Sequence, residues 1–156
     1  MLDNQAEKIN AQVLKQGGAI FSDDYFGFSI DPYLDKRNGY SFMLNPNGVR
    51  WDALFKNITE FVGDWDGIWQ GEGTIDEEGW TAEMAIPFQT LTFDPENDTW
   101  GINFGRDIAR VSESVGWVSR NTQQNPSIAG EAVGMEDLQL GMGLDIVPSL
   151  ALRQTK

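Results

Sequence analysis

Residues 22–52 read SDDYFGFSIDPYLDKRNGYSFMLNPNGVRWD. Two runs of alternating residues, Tyr25–Asp31 and Tyr40–Asn45, flank a loop that ends in Asn38-Gly39. A second turn, Asn45-Pro46-Asn47-Gly48, leads into a third run, Val49–Phe55. Period-two alternation places successive side chains on opposite faces of a strand, and Asn-Gly supplies the backbone conformations that tight hairpin turns require. The stretch therefore predicts an antiparallel meander with polar loops. Such a scaffold points to binding before it points to catalysis.

Working outward, the same signals recur. Trp65–Thr74 leads through Asp76-Glu77-Glu78-Gly79 into Trp80–Ile86, which reads as a hairpin. Trp80, Ala82, Met84 and Ile86 share one face of it, and Thr81, Glu83 and Ala85 share the other. Pro87 stops the strand and starts a single helical turn to Leu91. Trp100–Arg110 is a long strand, Gly116–Arg120 a shorter one, and Asp137–Leu144 the last. Asn121–Gly134 is a polar loop. Asn57–Asp64 is a transition without a defined element. Upstream, Ile9–Leu14 reads as a short strand closed by Gln16-Gly17-Gly18, after a polar lead-in of ten residues. About eight short strands separated by turn signals predict an all-β antiparallel sandwich, jelly-roll-like, with almost no helix. The expected core is Phe26, Phe28, Ile30, Phe42, Leu44, Trp80, Met84, Ile86, Ile102 and Phe104. The sandwich is expected to fill residues 1–144, with 145–156 a tail or the start of a following domain.

Composition narrows the function. A chain of 156 residues is long enough for one domain with a real core. The net charge of −13 repels phosphate backbones and anionic membrane surfaces, so no nucleic-acid partner is expected; cations and neutral polar ligands such as sugars fit. There is no cysteine and no histidine. Disulfides, thiol catalysis, histidine triads and nitrogen or sulfur metal sites are therefore excluded. The first residues lack the apolar core of a signal peptide, and no run approaches the about 20 apolar residues of a membrane helix.

The segments SDDYFGFSID, EGWTAEMAIPFQTL, WGINFGRDIAR and MEDLQL, in that order, resemble the family 9 carbohydrate-binding module and its close relatives. RNGYSFMLNPNG and WDGIW resemble a subgroup that carries this domain ahead of an outer-membrane-type β-barrel. GLDIVPSLALRQTK is similar to the junction into that barrel. The resemblance spans residues 9 to 150. It implies a non-catalytic glycan-binding domain of an exported or cell-envelope protein, periplasmic or associated with the outer membrane and linked to carbohydrate catabolism. Its alternatives are a structural or assembly domain beside the barrel and part of a glycoside hydrolase. Two departures stand out. Relatives place two or three strands before Ser22, where only Ile9–Leu14 stands here. An open sheet edge is therefore expected, either because the chain is a fragment or because it pairs with another chain. Sugar-binding relatives also hold a terminal sugar between two Trp rings. Phe21 occupies one of those positions, and the loop matching the other, Asn121–Gly130, has no aromatic residue.

Aromatic rings bind sugars by burying their C–H faces, while polar side chains bond the hydroxyls. Trp65, Trp69, Phe21 and Trp117 are the candidate rings, and Asp64 and Asp66 the candidate acceptors. Trp65 and Trp69 lead because Gly63, Asp64 and Asp66 set them near a loop. Trp80 and Trp100 head regular strands and read as core. Among metals, only a hard cation such as calcium matches an all-oxygen donor set; Asp31, Asp35 and Asn38 share one loop, and Asp94, Glu96, Asn97 and Asp98 another. A glycosidase would need two carboxylates flanking a bond. Glu72, Glu83 and Asp107 are available, but no spacing selects a pair.

Overall fold

The computed structural model describes residues 5–118 and 126–138. It is all-β and sandwich-like. Nine strands form two sheets, and among the described residues the only helical pieces are four short 3-10 turns. The strands are β1 Tyr25–Asp31, β2 Gly39–Leu44, β3 Arg50–Lys56, β4 Glu60–Val62, β5 Gln70–Asp76, β6 Gly79–Ala85, β7 Thr99–Ile108, β8 Glu113–Gly116 and β9 Gly130–Val133.

The larger sheet is antiparallel, with strand order β4-β3-β2-β1-β7-β8, and β9 pairs with β7 beyond the stretch that β8 occupies. The meander of residues 22–52 is its centre. Phe28 sits opposite Phe42 on one side and Phe104 on the other. This register puts Ile30, Tyr40, Phe42 and Leu44 on one inner face. The β5–β6 hairpin is the second layer, and Trp69, Leu91, Phe93 and Trp100 complete the buried cluster. Phe42 and Trp100 are fully buried. Burying a side chain of this size stabilises the fold by about 2–3 kcal/mol each.

Ile30, Phe42, Leu44 and Trp80 of the expected core are buried, while Phe28, Met84, Ile86 and Ile102 pack against it half-covered. Phe26 and Phe104 are also half-covered, stacked at 6.1 Å.

Ile9–Leu14 is not a strand. The Asn10 carbonyl accepts from Asp24 N at 2.8 Å just ahead of β1, and past it the bonded backbone groups are held by side chains instead of by a neighbouring strand. The buried Asp23 carboxylate accepts from Gln12 N at 3.1 Å and Val13 N at 2.9 Å. Asn45 Nδ2 donates to the Val13 carbonyl and to Asp23, both at 2.9 Å. Asn45 Oδ1 accepts from Asn47 N at 3.1 Å and Val49 N at 2.8 Å. One buried amide thus ties the N-terminal segment to the turn between β2 and β3. Asp137 and Leu138 are not in a strand, and residues 139–144 of the expected last strand lie outside the described residues, as does the 145–156 tail.

Candidate functional site

The short strand β4 pairs only with Leu54–Lys56 of β3. The other half of that edge, Arg50 to Ala53, has no strand partner among the described residues. The chain after β4 turns away through Gly63 and returns past this open half before entering β5. Between the returning segment and the β3 edge lies a groove of about 460 Å³, a volume typical of small-molecule sites. Arg50 and Asp52 project from the inner face of β3 and Trp51 from the outer face. Trp65, Asp66 and Trp69 form the facing wall, and the Gln16-Gly17 turn closes one end.

Each wall is fixed by specific contacts. Gln16 Oε1 accepts from Arg50 N at 3.1 Å, and Gln16 Nε2 donates to the Gly48 carbonyl at 2.8 Å. Arg50 donates to the Trp69 carbonyl, and its guanidinium lies 5.6 Å from the centre of the Trp69 ring. The Asp52 carboxylate accepts from Gly67 N at 2.5 Å. Trp65 packs on Tyr40 at 5.0 Å and on Phe42 at 5.9 Å. A methyl group on Gly67 would come within 2.6 Å of the Trp65 ring, so the ring lies over bare backbone here.

Burial pushes the Asp52 carboxyl above the ordinary carboxylate range. The Gly67 hydrogen bond opposes that shift, the neighbouring Asp66 charge adds to it, and the Trp69 indole and Arg50 pull it back down. The groove thus holds a half-covered indole, an arginine, a desolvated carboxylate and an exposed one. This set can stack a ring and bond hydroxyl groups.

Of the residues singled out in the sequence, Trp65, Trp69 and Asp66 meet in this groove. Trp65 is half-covered, but only 3% of Trp69 is exposed. Phe42 packs on Trp69 at 5.3 Å and Arg50 covers it, so Trp69 is floor rather than stacking platform. Asp64 is exposed in the turn after β4, outside the groove wall. Phe21 lies beside the groove and packs edge-on against Trp51 at 5.1 Å. Trp117 is well exposed but follows β8 at the far edge of the sheet, against Phe104. The two groups therefore do not share one concave surface. Residues 121–125 of the loop expected to face a ligand lie outside the described residues.

The Asp31–Asn38 loop closes on itself. Asp31 is buried and accepts from Lys36 N at 2.7 Å and Tyr33 N at 3.2 Å. Asp35 accepts from Arg37 N at 2.7 Å, Asn38 N at 2.8 Å and Asn38 Nδ2 at 2.6 Å. Burial raises the Asp31 pKa above its ordinary value, its own backbone bonds oppose this, and the Asp35 charge adds to it. No three of His, Cys, Asp and Glu are grouped to hold a metal ion among the described residues. Glu72 and Glu83 face each other across the exposed β5–β6 hairpin, whereas Asp107 lies on β7 bonded to Ser114. These three carboxylates do not share a cleft.

A crystal structure described as that of a "putative carbohydrate-binding protein" from Bacteroides uniformis matches this architecture with a TM-score of 0.59. The two chains share a fold. They are 16% identical in sequence, and the match covers 79% of this chain and 66% of the other. No family model matches the chain, and no curated protein matches it.

Proposed function

We propose that this domain binds a neutral oligo- or polysaccharide, without catalysis, in the groove along the open half of β3. The observation that carries this reading is the Trp65 indole set beside Arg50, Asp52 and Asp66 in a groove of ligand size. The indole offers an apolar surface to a pyranose ring, and the carboxylates accept from its hydroxyls while Arg50 donates. Fold similarity to a protein described as carbohydrate-binding supports the same class of ligand. The resemblance to family 9 modules agrees with it, and extends to an exported or envelope-associated protein with a following barrel, linked to carbohydrate catabolism.

The test is calorimetric titration with neutral tetrasaccharides of glucose, xylose and mannose in turn. Binding of at least one, with weak dependence on salt and loss in Trp65→Ala, is expected. No binding by any neutral glycan would leave the assembly role beside a barrel as the better account.

Calcium at the Asp31–Asn38 loop is a second, separate proposal. The loop holds the oxygen ligands of Asp31, Asp35 and Asn38, with both carboxylates turned onto its own N–H groups, and a cation there would relieve the repulsion between Asp31 and Asp35. Because the loop already satisfies its carboxylates, the ion would supplement the fold rather than create it.

A further inference from the structure

The groove does not end at Trp51. That ring also belongs to a row on the outer face of the larger sheet. Phe21 packs on Trp51 at 5.1 Å and on Tyr25 at 6.1 Å, and Phe61 lies 6.5 Å from Trp51 on the opposite side. Phe21 and Phe61 are each 53% exposed. Single exposed apolar side chains are ordinary on a protein surface, but a connected row that runs out of a polar groove is not. Register explains the row: Trp51 and Phe61 project from the same face of β3 and β4, and Tyr25 projects from that face of β1. Trp51 is the hinge, lining the groove and joining the row at once.

We infer that the site takes an internal stretch of a single, soluble, neutral glycan chain, its successive sugar units laid along the row of Phe61, Trp51 and Phe21, with the unit at Trp51 reaching the polar groups of the groove. This rests on the groove reading above and extends it. Three observations select this ligand. The Gln16-Gly17 turn closes one end of the groove, but exposed rings continue on both sides of Trp51, so the row stops a chain at neither end. Successive rings are tilted by 73°, 89° and 53°, so no single plane lies on all of them. A flexible chain can follow such a twisted track, whereas the flat face of a crystalline polysaccharide meets one ring at a time. Finally, Asp52 and Asp66 in the groove, with a net charge of −13 for the chain, repel uronic acids and sulfated glycans.

The experiment is a length series, from mono- to hexasaccharide of the sugar that binds best, titrated into the wild type, Phe21→Ala and Phe61→Ala. Each stacked unit is expected to add roughly two- to tenfold in affinity. Affinity in the wild type therefore climbs beyond the disaccharide, and each substitution flattens that climb. Parallel binding to a film of crystalline cellulose or chitin is expected to be weaker than to soluble chains of the same sugar. Affinity that stays flat from disaccharide to hexasaccharide overturns the extended track while leaving the groove reading intact. Retention on crystalline films with no preference for soluble chains also overturns it. Absence of binding at every length overturns both.

Discussion

Gly73→Ala is the sharpest test of how the second layer docks. Gly73 lies on β5, where the hairpin crosses the turn between β2 and β3. A methyl group there would stand 2.4 Å from the Pro46 carbonyl oxygen and 2.9 Å from that of Asn45. Both are backbone atoms, so no side-chain rotation relieves the clash. The turn cannot yield easily either, because the buried Asn45 amide fixes it from inside. Forcing one extra carbon into a packed contact costs about 1–3 kcal/mol. Alanine restricts the unfolded chain and returns about 0.4–1 kcal/mol. The net expectation is a loss of about 1–2 kcal/mol, or roughly 3–6 °C in Tm for a domain of this size. Urea unfolding followed by tryptophan fluorescence reads it directly. A midpoint equal to or above that of the wild type would show that the hairpin does not press on this turn, and the two-layer packing would be wrong.

Other expectations follow from single contacts. Asn45→Ala removes four hydrogen bonds and leaves the Asp23 carboxylate and Val49 N–H short of partners, so a loss of about 3 kcal/mol in urea unfolding is expected; a loss below about 1 kcal/mol would refute the network. Gly67→Ala is expected to displace the Trp65 ring and weaken saccharide binding several-fold while the protein stays folded, and undiminished binding would remove Trp65 from the site. Asp52 has a raised folded pKa, so it binds its proton more tightly in the folded state. Its ionisation therefore opposes folding increasingly as pH rises from the ordinary carboxylate value, about 3.9, through its folded pKa. Asp52→Asn is accordingly expected to gain in Tm relative to the wild type between pH 4 and pH 7, and a difference that does not change with pH would contradict the burial of this carboxylate. Millimolar calcium is expected to raise Tm slightly over chelator, and Asp35→Asn to abolish the rise; superimposable melts would refute the calcium proposal.

What the sequence disclosed, and what it hid, has a physical pattern. The bounds of β1, Tyr25–Asp31, follow directly from its alternation, and those of β2 and β3 fall within a residue or so of it. Alternation on a half-buried sheet is a local signal, visible without the rest of the chain. The β4 strand is hidden because its turn uses Asn57 and Ile58 at positive φ, with no glycine to announce it. Ile9–Leu14 misleads for the opposite reason: it is apolar enough for a strand, but the side chains of Asp23 and Asn45 take its backbone. In the groove, Trp65, Trp69 and Asp66 stood out because glycine and aspartate surround them. Arg50, Trp51 and Asp52 did not, although they close the opening stretch. They look like any strand residues until one knows that β4 stops short and leaves them on an open edge. The exposed Phe61 is hidden by the same fact.

The groove itself is tested most directly by the six tryptophan indole N–H signals of the chain, resolved by nitrogen-edited NMR and assigned by substitution. A neutral tetrasaccharide that binds is titrated in while the signals are followed. Trp51 and Trp65 are expected to shift most and Trp69 to follow through its contact with Asp52, while Trp80, Trp100 and Trp117 stay in place. A titration that moves Trp117 and leaves Trp51 and Trp65 untouched would contradict the groove as the site.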